Sequence, residues 1–462
     1  MIKKHSLSLL LTIISLSSFS QDSLSHVSID PKKNLANLLL NTKIDINARS
    51  FFMSTNNEGL LKDDYAFASG IGLGINTTSF HGFQFGLSSF VTYNLVSSNL
   101  AQPNSSTQGI NRYEVGLFDI QNLNNKQNII RIENLFLKYN YSKSNIAVGK
   151  MKLNTPFLNP QDGRMNSTLE EGIWLCINEL KKIQINGGWV WNISPRSTSQ
   201  WFTASHSIGI YPSGITETGS KSNYYGNINS SGVAIANIQF TPVKKIKLNV
   251  WDVLIDNVMN TSMIELNIQF GKTITYYQGI MYIHQNAINN GGNVDQTKTY
   301  TLKQTQSNVI SAQFGVKTKK INANLNYTHI TNDGRYLMPR EWGKDPFYTF
   351  MPRERNEGFG NVHAISTRVT LTTLKDKLKL GLGYGYFKLP DVKDYKVNKY
   401  GMPSYHQINI ETSYLCSKFF KGLDIKFITA YKIKQGETYN NQNYIYNKVN
   451  MFNFNFILDY KI

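Results

Sequence analysis

Arginine is scarce in this chain, and its placement is uneven. Of 462 residues only ten are arginine, and five of those fall between Arg335 and Arg368. The stretch Pro339–Gly358, PREWGKDPFYTFMPRERNEG, packs three prolines, four acids, four bases and four aromatics into twenty residues. A guanidinium is a planar fork that grips a carboxylate through paired hydrogen bonds and keeps its charge. The chemistry on offer is therefore reversible recognition of an anionic group. Other chemistries find less support. None of the eight histidines lies within four residues of another, so no HExxH-type metal pattern exists. There is no G-x-S-x-G elbow. Ser205 and His206 are adjacent, and on a strand they would face opposite sides. The glycines of GIGLG, Gly70, Gly72 and Gly74, are followed by no helical pattern. No catalytic residue, metal or cofactor is expected.

The elements that must carry these arginines follow a period of two. Leu378, Leu380, Leu382, Tyr384 and Tyr386 alternate with Lys377, Lys379, Gly381, Gly383 and Gly385. Ile321 to Thr328, Ile264 to Phe270, Ile365 to Leu371 and Leu423 to Lys434 alternate in the same way, and Ile44, Ile46 and Ala48 oppose Asp45, Asn47 and Arg49. At the C-terminus Phe452, Phe454, Phe456, Leu458, Tyr460 and Ile462 share one face. A soluble sheet seldom leaves such a strand as an edge, whereas a barrel in lipid needs it to seal the seam. The opposite faces carry Asn, Thr and Lys, as a water-filled lumen requires. Aromatic pairs such as Phe51-Phe52, Tyr384 with Tyr386, and Tyr444 with Tyr446 suit interfacial girdles. The reading is an all-β transmembrane antiparallel barrel, against a secreted sandwich or solenoid. At roughly 24 residues per strand with its connection, sixteen or eighteen strands fit.

Residues 1–20 read as a secretory signal: Lys3 and Lys4, a short apolar core from Leu7 to Leu16, then Ser18-Phe19-Ser20. Residues 21–41 form a short lead-in and 42–462 a single barrel. No later run is long and apolar enough for a helical span. Cys176 and Cys416 are too few for a disulfide framework and read as small apolar residues. The formal charge of +18 points to anionic solutes or surfaces, with nucleic acid the weakest partner for an exported chain.

Two stretches resemble the OprD family of outer-membrane porins: VGKMKLNTPFLNPQDGRMNSTLEEG (Val148–Gly172) and the Pro339–Gly358 segment. GLGINTTSFHGFQFG (Gly72–Gly86) and WNISPRSTSQW (Trp191–Trp201) fit as well. The resemblance implies an 18-stranded monomeric barrel in the outer membrane of a Gram-negative bacterium. It implies inward-folded loops, a row of basic side chains on the inner wall, and passage of small carboxylates such as amino acids, peptides or organic acids. The abundance of Asn and Lys departs from the family and bears on substrate preference.

Three prolines prevent Pro339–Gly358 from being an interior strand, so it is expected to fold into the lumen. There Arg340, Arg353 and Arg355 would face solute, balanced by Glu341, Asp345, Glu354 and Glu357. Arg49, Arg368 and Lys426 lie on inward strand faces and join the expected pathway. Arg131 is out of phase with Leu135, Leu137 and Tyr139 unless a bulge intervenes. Asp162 and Arg164 mark a second inward loop or a capped turn. The other functions in view are a general anion pore, an adhesin or surface-complex partner, and a barrel hydrolase.

Overall fold

A computed structural model describes residues 41–127, 129–161, 163–417 and 420–461. The signal, most of the lead-in and Asp162 lie outside the described residues. The wall begins with β1 (Lys43–Asn57), β2 (Asp64–Asn76), β3 (Phe83–Ser97), β4 (Ile129–Tyr141), β5 (Ser144–Met151), β6 (Leu169–Ile177) and β7 (Ile183–Ser194). A two-residue ribbon, β8 (Phe202–Thr203), extends only the end of β7. The wall continues through β9 (Val233–Val243), β10 (Ile246–Ile255), β11 (Met259–Phe270), β12 (Thr275–Ala287), β13 (Gln306–Lys317) and β14 (Ile321–Ile330). It ends with β15 (Val362–Thr373), β16 (Leu378–Lys388), β17 (Tyr405–Leu415), β18 (Leu423–Lys434) and β19 (Met451–Lys461). Each wall strand pairs antiparallel with its chain neighbours, and β1 closes on β19 from Asn47↔Lys461 to Asn57↔Met451. Leaving out β8, the barrel has 18 strands. Closure leaves no open sheet edge, which a bilayer interior demands.

Alternation sorts the faces as the sequence patterns imply. Leu325, Leu382 and Ile410 point outward with more than half their surface uncovered, while Asn326, Gly383 and Asn409 point inward. Arg131 points inward and is 1% exposed. The β3–β4 register skips Glu133, between Ser88↔Asn134 and Ser89↔Ile132, and this bulge restores Arg131 to the inner phase. Inside, its guanidinium donates to Ser167 O at 2.6 Å and Pro195 O at 3.1 Å, pinning two connections to the wall. The girdle expectation needs correction at two places. Phe51 faces inward and is 1% exposed, and Tyr446 is buried in a loop. Both cysteines are free.

The connections are unequal. At the end holding the chain's first and last strand ends, turns such as 142–143 and 244–245 are short. At the other end run 98–128, 152–168, 195–232 and 331–361. Short periplasmic turns and long outer loops are the rule for such barrels. The long loops fold into the lumen and bring their own core. Leu158, Trp342, Phe347 and Met351 pack with the inner-wall residues Met263, Met281 and Val309. Glycines admit them: a Cβ at Gly383 would meet Met351 Cε at 3.0 Å, and one at Gly385 would meet its Sδ at 2.8 Å.

Candidate functional site

Four of the infolded loops meet around a cavity of about 80 Å³. Six arginines line it: Arg112 from 98–128, Arg164 from 152–168, Arg196 from 195–232, and Arg340, Arg353 and Arg355 from 331–361. Five of them are aimed by backbone or amide oxygens, while the Arg340 guanidinium lies over the Tyr400 ring, 4.7 Å from its centre. Arg353 has a left-handed backbone, φ 70°, a conformation that costs a non-glycine residue about 1 kcal/mol or more. The wall holds this turn: Lys432 Nζ donates to Arg353 O at 2.6 Å, and Gln407 Nε2 donates to Pro352 O at 2.7 Å. The Arg353 side chain then donates to Asn453 Oδ1 at 2.8 Å and to Asn455 Oδ1. Arg355 donates to Gln161 Oε1 at 3.0 Å, and Arg196 to Arg340 O at 3.2 Å. Arg164 fits only because residue 116 is glycine, whose Cβ would sit 2.3 Å from Arg164 Nε.

Acids do not neutralise this set. Among the described residues, Arg340 has the only carboxylate partner of the six, Glu357 at 3.9 Å. The other three loop acids feel the charge of Arg340 or Arg355 but form no ion pair with them among the described residues. Glu341 Oε1 accepts the backbone N–H of Gly209 at 3.0 Å and of Tyr211 at 2.9 Å. Asp345 accepts from Asn356 N at 2.8 Å, and Glu354 from Met351 N at 3.3 Å. Burial raises the proton affinity of all three, Glu354 most clearly. These acids serve the loop's own backbone, because a buried N–H needs an acceptor wherever no ladder supplies one. Burial also pushes Arg164 and Arg196 down to about 9 and Arg353 to about 10. An entering anion would offset that desolvation penalty.

Toward the short-turn end lies a second charged level. Arg49 grips Asp459 through two hydrogen bonds, Nε at 2.6 Å and Nη2 at 3.0 Å, and its Nη1 donates to Arg164 O at 2.7 Å. Lys426 reaches the same carboxylate at 3.0 Å. Arg368 is on the β15 wall, 2.9 Å from Glu411. Of the expected pathway residues Arg49, Arg340, Glu341, Asp345, Arg353, Glu354, Arg355, Arg368 and Lys426, only Arg340, Arg353, Glu354 and Arg355 line the arginine cavity itself, and Arg164 of the second inward loop joins them. Sequence reasoning missed Arg112, Arg196, Lys399 and Lys432 as neighbours of that site. The rarity of arginine was the available signal for the first two.

Ser205 and His206 are on a one-turn helix, Ala204–Ser207, not a strand. Ser205 Oγ is therefore 3.4 Å from His206 Nδ1, but Thr203 Oγ1 is closer at 2.8 Å, in the capping position.

Behind the arginines, Lys399 is 2% exposed, with Glu357 at 3.6 Å and the rings of Tyr224 and Tyr300 each at 4.9 Å. Burial depresses its ammonium to about 8, against about 10.4 in a released loop. Below pH 8 docked and released loops are both protonated and docking carries the full penalty. Between about 8 and 10.4 the released form binds more protons, so docking strengthens as pH rises. Hydrogen exchange of residues 389–404, corrected for its intrinsic pH dependence, is expected to slow across that window. Lys399→Met is expected to flatten the response.

Comparison with known proteins agrees with this architecture. A family model described as "outer membrane porin, OprD family" matches residues 107–348. Among solved structures, Pseudomonas aeruginosa OccK9 (OpdG) superposes with a TM-score of 0.72 at 12% identity, over 92% of this chain and 99% of that one. Pseudomonas aeruginosa OpdK, solved with vanillate, gives 0.69 at 12% identity over 92% and 99%. Acinetobacter baumannii OccAB2 gives 0.71 at 14% identity over 91% and 98%. No curated protein matches by sequence. The family match spans more than half of the 462 residues and the fold agrees over nearly all of them, so the chain belongs to the OprD family of outer membrane porins.

Proposed function

We propose that this porin is a facilitated-diffusion channel for small, water-soluble, carboxylate-bearing solutes, acting as a monomer and exported through a cleaved signal peptide. One observation carries the reading. Arg112, Arg164, Arg196, Arg353 and Arg355 converge on one cavity with no carboxylate partner among the described residues. Glu354 also lines the cavity but accepts from its own loop's backbone, so guanidiniums not paired to an acid leave donors for an incoming carboxylate. The route then follows the seam. Arg353 sits at the level of Asn453 and Asn455, and Arg49 and Lys426 sit at Asp459. Six residues of strand separate Asn453 from Asp459, roughly 20 Å of travel. A solute hops between such sites because each is weak enough to release it. Vanillate, with which the OpdK structure was solved, is a carboxylate of this size.

The test is the reversal potential of purified protein in a planar bilayer under a salt gradient, repeated with organic acids and amino acids. Anion preference, with current blocked by small carboxylates, is expected. Anion preference without carboxylate block would favour a general anion pore, and folded protein without any channel would sink both. The wall cluster gives a sign-reversed control. Asp459→Asn removes the acid held by Arg49 and Lys426 and is expected to raise anion preference by about threefold, in line with unmasking charge across water at ~6 Å. An unchanged reversal potential would remove that cluster from the pathway.

A further inference from the structure

Across the lumen from the basic seam, the inner face of β6, β7, β9, β10 and β11 is built differently. It borders a vestibule of about 570 Å³, within the range typical of small-molecule sites. Two half-buried tryptophans, Trp174 on β6 and Trp251 on β10, border this space with part of each side chain packed on the lumen's apolar cluster. Between them runs a row of amides. Trp251 is in register with Asn237, and Asn237 with Asn186. The side chains are chained in one direction, Gln184 Nε2 to Asn186 Oδ1 at 3.2 Å, Asn186 Nδ2 to Asn237 Oδ1 at 3.0 Å, and Asn237 Nδ2 to Val250 O at 3.1 Å. Gln239, one inward step along β9, has no side-chain hydrogen-bond partner among the described residues. The Trp174 indole lies against the wall over Gly188, where a Cβ would meet its Cε3 at 2.9 Å. Three strand spacings separate β6 from β10, about 14 Å.

The choice of side chains says what this wall suits. Anions need cations, and among the described residues those bordering the vestibule are Lys152 and Lys247, while Glu265 is already held by Asn249 at 2.9 Å and Tyr348 at 2.8 Å. Amides present a donor and an acceptor side by side. That matches hydroxyl groups, which donate and accept at once. An indole laid against the wall offers the uncovered part of a flat apolar face beside those polar edges. A pyranose ring has both parts: an apolar face of C–H bonds and a rim of hydroxyls.

We infer that this wall is a saccharide-binding station, so that the channel takes solutes with a hydroxyl-rich ring, the carboxylate being read by the arginines. The second clause rests on the carboxylate reading above; the station itself does not.

The experiment is single-channel block by three probes, glucuronate, glucose and butyrate, on wild type, Trp174→Ala/Trp251→Ala and Gln239→Ala. The wild type is expected to be blocked by glucuronate at about tenfold lower concentration than by butyrate, and measurably by glucose. The double variant is expected to lose the tenfold advantage while its butyrate block stays, and Gln239→Ala, a change to one surface of the lumen, to lose part of it. Equal block by glucuronate and butyrate in the wild type, or an advantage untouched in both variants, would overturn the station while leaving the carboxylate reading intact. Block by glucose without block by butyrate would do the reverse.

Discussion

Replacing Glu341 by alanine is expected to leave the barrel folded and raise its conductance. The carboxylate oxygen of Glu341 is the shared acceptor for the backbone N–H groups of Gly209 and Tyr211, and the residue is 3% exposed. Alanine would leave two buried donors unsatisfied, at about 1–3 kcal/mol each. No ladder bond of the wall depends on them, so the cost falls on the docking of loop 195–232 against loop 331–361. That docking also carries Trp342 Nε1 to Ser207 Oγ at 2.7 Å and Arg196 to Arg340 O. A released loop would open the arginine cavity and take Arg196 with it. Conductance should therefore rise, with more frequent current fluctuations, while heat-resistant gel migration still reports a closed barrel. Glu341→Gln keeps one oxygen for both donors and is expected to stay close to wild type, since burial already biases this carboxyl toward its neutral form. A Glu341→Ala channel with unaltered conductance would show that the two amides find other acceptors and that this carboxylate does not hold the loop.

The wall was legible in the sequence because a barrel strand has only two faces. A residue's parity decides whether it meets lipid or water, so Arg49, Arg368 and Lys426 could be placed inward from alternation alone. Arg131 shows the limit of that logic. One extra residue at Glu133 shifts the parity, and only the register with Ser88 and Ser89 reveals it. The loops obey no period. Three prolines announced that Pro339–Gly358 leaves the ladder, yet nothing local told that Glu341, Asp345 and Glu354 would spend their oxygens on backbone N–H groups. Their partners are set by packing, as Gly209 and Tyr211 are more than 100 residues away along the chain. Arg112 and Arg196 reach the same cavity from separate loops for the same reason. The strand geometry considered for Ser205 and His206 does not apply, because Thr203 caps a helical turn there with its hydroxyl, a signal only once the turn is known.

Arg353→Gln is expected to lower anion-over-cation permeability by roughly three- to tenfold and to weaken carboxylate block in parallel. A unit charge ~6 Å from a passing anion contributes ~0.7 kcal/mol in bulk water and ~2.8 kcal/mol at an effective dielectric of 20. A narrow, partly wet cavity lies between those limits, nearer the first. Arg353 is the residue on which this should tell most. Its guanidinium is fixed by Asn453 and Asn455, its carbonyl by Lys432, and its backbone by a left-handed turn, so a neighbour cannot easily take over its position. Glutamine places an amide nitrogen where arginine has Nε, so a donor toward Asn453 is kept, while the charge and the reach to Asn455 are lost. Arg353→Gly relaxes the left-handed strain as well and separates charge from geometry: it should match Arg353→Gln in selectivity while tightening or leaving unchanged the fold of the turn. If both variants kept wild-type reversal potentials and wild-type carboxylate block, the arginine cavity would be a structural knot joining four loops, and selectivity would have to arise lower on the seam, at Arg49 and Lys426. The salt dependence separates these cases further. Charge exposed to the permeating solution is screened over about 8–10 Å at 0.1–0.15 M salt, so the effect of removing Arg353 should shrink as salt is raised toward 1 M.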